Sequence, residues 1–357
     1  MKTLLFLSDG YLVNMAAWLL TGVAALLVFI KQRQKYRQQP KKLKWMNAAL
    51  SAWFLLAALT LPELYCAVFY DETDSFSLTN SSRRWFSIHV QSNQSGFRDS
   101  RELFGPGFKE KKNVVFLGDS FTFGHGVRNV DDRFSDRIAQ ELDANQPGQF
   151  LTNNVSLPGL DTRQMVDDIF RDQLAGLKKN DVLVYTFVLN DIEYFDEKTG
   201  AFYQNQQSLH PTNFLFRDTY FYNLMYYRVK QISQSGRFNY YDYLQSSYEG
   251  EPWNRLARKF DELRHLCAER EIDLRIVIFP FLQNLGDAYP FSAAHQRLVA
   301  YFKTHNIPCL DLAPVLEPHV NTGLTVNRFD AHPNERAHQL SAEAMQTDLL
   351  SDLFDAE

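Results

Sequence analysis

The chain has 357 residues, 45% hydrophobic and 14% aromatic, which is enough for one large or two modest cores and excludes a disordered chain. Its formal net charge is −5, but residues 1–70 carry eight Lys/Arg against two acids, so the remainder holds 29 basic against 40 acidic residues, a net −11. That balance gives no electrostatic footprint for nucleic acid, and Cys66, Cys267 and Cys309 give neither a disulfide framework nor a metal-ligand spacing.

Tyr11 to Ile30 is twenty residues without a charge, long enough to cross a hydrocarbon core of roughly 30 Å at 1.5 Å per residue. Lys31, Arg33, Lys35, Arg37, Lys41, Lys42 and Lys44 follow, and Met46 to Pro62 begins a second apolar segment that continues to Tyr70. Two transmembrane helices flanking one basic loop are expected over residues 1–70. The positive-inside rule places the loop in the cytoplasm and everything after Tyr70 on the far side. A cleaved signal peptide is the competing reading, against which stand the length of the apolar region and the lack of a weighty basic segment before it.

Residues 71–112 turn polar and read as a short β-rich lead-in, with Asn93, Gly96, Phe97 and Arg98 before a Gly-Pro-Gly turn. Arg98 is expected in a structural ion pair rather than on a substrate. The domain proper is expected over 113–357. Val114 to Leu117 is a short, uninterrupted apolar run, the pattern of a parallel strand buried on both faces, and Gly118 ends it. Asp119, Ser120 and Thr122 are cap and turn formers, and an amphipathic stretch follows from about Asp132 to Leu142. A strand, a sharp turn and a helix lift a serine hydroxyl out of the sheet edge beside backbone N–H groups that can hold an oxyanion, so Ser120 is the candidate nucleophile.

A second strand from Phe150 ends in a loop containing Gly159, whose lack of a Cβ lets its backbone N–H approach a ligand. A third runs from Asp181 and ends in Asn190-Asp191 at the carboxyl edge, where doubly wound sheets carry their sites. The Asn190 amide can donate to a developing oxyanion, and Asp191 is expected to cap the next segment. Residues 192–252, crowded with Tyr and Phe, read as an insertion. Helix Trp253 to Glu271, strand Asp273 to Phe281, helix Phe291 to His305 and strand Ile307 to Leu312 then restore α/β alternation. His332 is the general-base candidate. In an extended segment residues i and i+2 project to one side, so Asp330 can hold the imidazole toward Ser120. The rival is that Asp330 turns away and leaves His332 with a backbone carbonyl or another acid such as Asp311. Pro333 and Asn334 begin a closing helix that contains His338.

Taken together these blocks resemble the SGNH/GDSL hydrolase family, in a membrane-anchored bacterial form. Gly118-Asp119-Ser120 matches its first block, with Phe121 in place of leucine. Gly159 matches the second, Asn190-Asp191 the third with Val188 where glycine is usual, and Asp330/His332 the last, as Asp-x-His instead of Asp-x-x-His. An Asn-x-x-Gly-Phe-Arg stretch is common ahead of the serine block in membrane-tethered members. The resemblance implies a flavodoxin-like αβα sandwich with a parallel sheet, and catalysis by Ser120, His332 and Asp330. It also implies an oxyanion hole from the Ser120 and Gly159 backbone and the Asn190 side chain. No cofactor and no metal are expected. The expected activity is a serine esterase removing acyl groups, acetyl first among them, from a small molecule, lipid or glycan. The alternatives are an O-acetyltransferase on an envelope polysaccharide, with an acyltransferase membrane protein as candidate partner, and a catalytically silent glycan-binding domain. The expected location is the bacterial inner membrane, with the domain on the periplasmic or extracellular side.

Overall fold

The run at Val114 becomes the centre of a five-stranded parallel sheet in a computed structural model that describes residues 7, 9–195, 210–234, 240–286 and 288–355. Its strands are β1 (Lys112–Gly118), β2 (Phe150–Ser156), β3 (Val182–Val188), β4 (Asp273–Phe279) and β5 (Cys309–Asp311), in the order β2-β1-β3-β4-β5. All neighbours are parallel, with Gly118 opposite Ser156 and Leu117 opposite Tyr185. Every residue of β3 is buried, as its Val-Leu-Val-Tyr-Thr-Phe-Val sequence, with no charged residue, suits a strand covered on both faces.

Two helical layers do the covering. Phe134, at the start of helix Phe134–Asn145, packs on Phe116 of β1 and Phe279 of β4. Phe260 of helix Gly250–Glu269 packs on Tyr185 and Phe187 of β3. Phe116 is in register with Val184, one residue out of step with Tyr185, so the two helices lie on opposite faces of the sheet. This is the doubly wound sandwich expected, and its strand order reverses between β1 and β3. Such a switch point opens a crevice at the carboxyl ends of the strands.

The chain divides into two units, Met1–Ile88 with Ser208–Ser235, and His89–Gln207 with Gly236–Glu357. In the first, helices Asp9–Lys35 and Pro40–Val68 are long and apolar enough to cross a membrane. Leu20, Leu27 and Leu61 stand exposed on them, and the Trp53 indole donates to the Gly22 carbonyl between them at 3.1 Å. The one acid of the second helix, Glu63, is buried and fully employed. It accepts from Tyr11 Oη and from the backbone N–H groups of Tyr220 and Phe221, each at 2.8 Å, and so caps helix Phe221–Gln234.

Two sequence expectations change here. The aromatic insertion is not one piece: residues 210–234 belong with the apolar helices, drawn there by Glu63, while 240–252 belong with the sheet. In the sheet unit Tyr248 donates to the Leu189 carbonyl at 2.7 Å and Tyr241 packs on Phe281 and Phe291, so these aromatics fill the core. The rest of the insertion, 196–209 and 235–239, lies outside the described residues. The lead-in, expected as β-rich, has no strand over 71–111; Asn80–His89 is a helix instead. Thr79 starts it by accepting the Ser82 N–H at 3.1 Å, and Ser81, Ser82, Arg84 and Trp85 bury its inner face.

Candidate active site

β1 ends in a turn that only glycine permits: a Cβ at Gly118 would meet Thr122 Oγ1 at 2.1 Å and Thr186 Cβ at 3.2 Å. Asp119 then caps the short helix Ser120–Phe123, its carboxylate accepting the Phe121 N–H at 2.9 Å while its other oxygen lies 3.3 Å from Ser120 Oγ. Ser120 thus stands at the carboxyl edge of β1, beside the switch point. Burial pushes the Asp119 carboxyl up from 3.8 to about 6, against the opposing pull of the Phe121 N–H and of His332.

The histidine comes from a separate hairpin, β6 (Thr325–Asn327) against β7 (Asp330–Pro333). Being in an extended strand, Asp330 and His332 share one face, as their spacing anticipated. His332 Nδ1 lies 2.6 Å from Asp330 Oδ1, and His332 Nε2 lies 2.9 Å from Ser120 Oγ. With Nδ1–H donating to the carboxylate, Nε2 is free to accept from the serine hydroxyl. Asp330 is 1% exposed, whereas Ser120 and His332 keep 8% each, so the reacting end alone is open to a substrate. The rival acid Asp311 is taken elsewhere, by His295 Nδ1 at 2.7 Å and the Ala313 N–H at 2.9 Å.

Gly159 follows β2 by three residues, in an exposed turn with φ of 80° and open space where a Cβ would stand. Asn190 follows β3 by two residues, half-buried, with its Oδ1 lacking a partner among the described residues. The register puts both at the same sheet edge as Ser120; no hydrogen bond ties either of them to the serine or the histidine in the described structure. Asp191 does not cap forward as expected. Its Oδ2 accepts the Val188 N–H at 3.2 Å, and burial first, then Asp119, pushes its carboxyl well above the ordinary range.

One residue at the site had escaped the sequence reading. His125 is buried and stacks on His332, ring centroids 4.0 Å apart and planes 5° from parallel, with its Nε2 3.5 Å from Asp330 Oδ2. Its only signal was its place between two glycines of the serine block, Gly124 and Gly126.

The GDSL-like lipase/acylhydrolase family model matches residues 116–340, a span that holds Ser120, Gly159, Asn190, Asp330 and His332. The chain belongs to this family. Comparison with curated proteins finds no match. Among solved structures the acylhydrolase is similar to a two-domain esterase (CEX) active on acetylated mannans, with 15% identity, 69% of this chain and 51% of that one covered, and a TM-score of 0.41. It spans about half the length of that esterase. It is also similar to a member of the lipolytic protein G-D-S-L family from Veillonella parvula (16% identity, 66% and 97% covered, TM-score 0.39). A third is the acetylxylan esterase Axe2 from Geobacillus stearothermophilus, solved as a catalytic mutant (12% identity, 69% and 95% covered, TM-score 0.40). Membership in this family supports reading the chain as a serine hydrolase of carboxylic esters.

The acylhydrolase's departures from the usual blocks have local reasons. Phe121, in the leucine position, packs edge-on against Phe279 and against the His332 ring, at 5.7 and 5.5 Å. Val188, in the glycine position, is buried in the sheet and donates to Asp191. The Asn93 stretch is a clamp. Asn93 closes its own turn onto Phe97, and Arg98 donates to the carbonyls of Phe123, Gly124, Val127, Arg128 and His89. Arg98 therefore serves the loop behind Ser120 through backbone carbonyls. His338 lies in helix Glu335–Ala344 away from the serine, accepting the Phe134 N–H at 3.2 Å, and burial pulls its pKa down to about 3.

His125, Asp330 and His332 are close enough together to suggest a metal site. Their geometry argues against one. Two imidazoles stacked at 5° with centroids 4.0 Å apart hold their lone pairs in two separate parallel planes, so no one ion can lie in the plane of both.

Proposed function

We propose that this acylhydrolase is a membrane-anchored serine esterase that works through an acyl-enzyme on Ser120, with acetyl the acyl group to test first. The observation that carries the reading is the hydrogen-bonded line from Asp330 through His332 to Ser120, at 2.6 and 2.9 Å. His332 Nε2 takes the Ser120 proton as Oγ attacks the ester carbonyl, and Asp330 stabilises the imidazolium that results. The carbonyl oxygen gains charge against the Ser120 and Gly159 N–H groups and the Asn190 amide. His332 returns its proton to the leaving alkoxide, and a water activated in the same way then releases the acid.

Two helices long and apolar enough to span a bilayer, with seven Lys/Arg between Lys31 and Lys44, support an anchored protein. By the positive-inside rule the domain faces the side opposite that loop. In a bacterial inner membrane this is the periplasmic or extracellular side.

The test is release of acetate from a panel of acetylated glycans and lipids by the full-length protein, with Ser120→Ala as control. Labelling by a serine-reactive fluorophosphonate runs in parallel. Acetate release that Ser120→Ala abolishes supports the esterase. Acetyl moving to an added glycan without acetate release would make the chain a transferase using the same serine, and absence of labelling would make it a glycan-binding domain.

A further inference from the structure

His332 is confined from several directions. Asp330 and Ser120 hold its two nitrogens, Phe121 sets a ring edge against it, and His125 covers one face at 4.0 Å. His125 is itself 2% exposed and firmly placed. Its backbone N–H donates to the Ser120 carbonyl at 3.1 Å, and the carbonyls before and after it, from Phe123 to Arg128, are those gripped by Arg98. The edge of the ring reaches the second oxygen of Asp330, so one carboxylate stands against two imidazoles.

We propose that His125 is a positioning residue for the Ser120–His332–Asp330 relay, covering the His332 ring and facing the Asp330 oxygen that His332 leaves unused; the inference rests on the catalytic reading of those three. Three physical effects support it. A ring stacked in parallel blocks rotation of the His332 imidazole out of line with Ser120 and keeps water off that face. The face of an aromatic ring attracts the imidazolium that forms when His332 takes the serine proton. An imidazole edge 3.5 Å from Asp330 Oδ2 resists rotation of the carboxylate. The second effect exists only once His332 is charged, so His125 acts on kcat and leaves KM unchanged. A histidine that merely filled the core would change melting and nothing else.

The experiment compares wild type, His125→Ala and His125→Phe as full-length protein in detergent. It measures p-nitrophenyl acetate turnover per active site, sites being counted with a fluorophosphonate, together with the melting temperature. His125→Ala is expected to lower kcat per site on the order of 10-fold to 100-fold with KM within about 2-fold. His125→Phe, which keeps the ring cover and loses the polar edge, is expected to fall between it and wild type and guards against a variant that fails to fold. In an Asp330→Asn background His125→Ala is expected to add no more than about 3-fold, because the two act on one imidazole. Unchanged kcat per site in both His125 variants overturns the proposal, whatever their melting temperatures. So does a full multiplicative loss in the Asp330→Asn background. A wild type that neither reacts with the fluorophosphonate nor turns over ester overturns the catalytic reading itself, and this proposal with it; a labelled, active wild type beside unaffected variants overturns this proposal alone.

Discussion

Replacing Asp330 by Asn keeps the shape of the side chain and removes the charge that faces His332 Nδ1 at 2.6 Å. With charge centres about 4 Å apart and an effective dielectric of about 20, the attraction between carboxylate and imidazolium is roughly 4 kcal/mol, or about a thousandfold in rate. That dielectric suits the site, since the Asp330 side chain is 0% and the His332 side chain 9% exposed. The amide also lets an NH₂ face Nδ1, which favours the tautomer that cannot accept the serine proton, so the loss should lie between about 10²-fold and 10⁴-fold. The assay is kcat/KM for p-nitrophenyl acetate per titrated site, with thermal melting as the measure of fold. Asp311→Asn is the matched control: Asp311 is committed to His295, so its loss should affect melting more than turnover. A fall of less than about 10-fold for Asp330→Asn with unchanged melting would refute the argument, since it would mean that the carboxylate does not stabilise the charged histidine.

Ser120→Ala and His332→Ala should each remove most turnover, and the double variant should lose little more, because the pair acts as one unit; additive losses would count against the relay. Asn190→Ala should lower kcat by on the order of 100-fold if its amide meets the oxyanion, and a change confined to KM would make it a substrate contact only. For Asp119 the folded carboxyl binds its proton more tightly than the unfolded one, so its contribution to stability is full below 3.8 and is lost as pH rises through about 6. Asp119→Asn should therefore melt like wild type near pH 4 and above it near pH 7, by up to about 3 kcal/mol in stability. A melting difference that does not change with pH would show that burial does not act on Asp119 in this way. A reporter fused after Glu357 should be active only outside the cytoplasm, and cytoplasmic activity alone would reverse the orientation drawn from the basic loop.

Local chemistry determined a good deal of this protein from its sequence alone. The charge-free, largely apolar runs at Val114 and Val182 required buried parallel strands, the twenty uncharged residues from Tyr11 required a long apolar helix, and Gly118-Asp119-Ser120 required a capped turn at a strand end. Asp330 and His332 could be paired by strand period, a property of neighbours two residues apart. Sequence could not reveal what such neighbours meet across space. Tertiary structure decided that Asp330, rather than Asp311, holds the histidine, because Asp311 ends β5 beside His295. It decided that the aromatic segment is shared between two units, because a buried carboxylate at Glu63 must find donors and finds them at Tyr220 and Phe221. It also stacked His125 on His332, residues 207 positions apart in the chain, since a ring contact depends on where a hairpin is folded back and leaves no period to read.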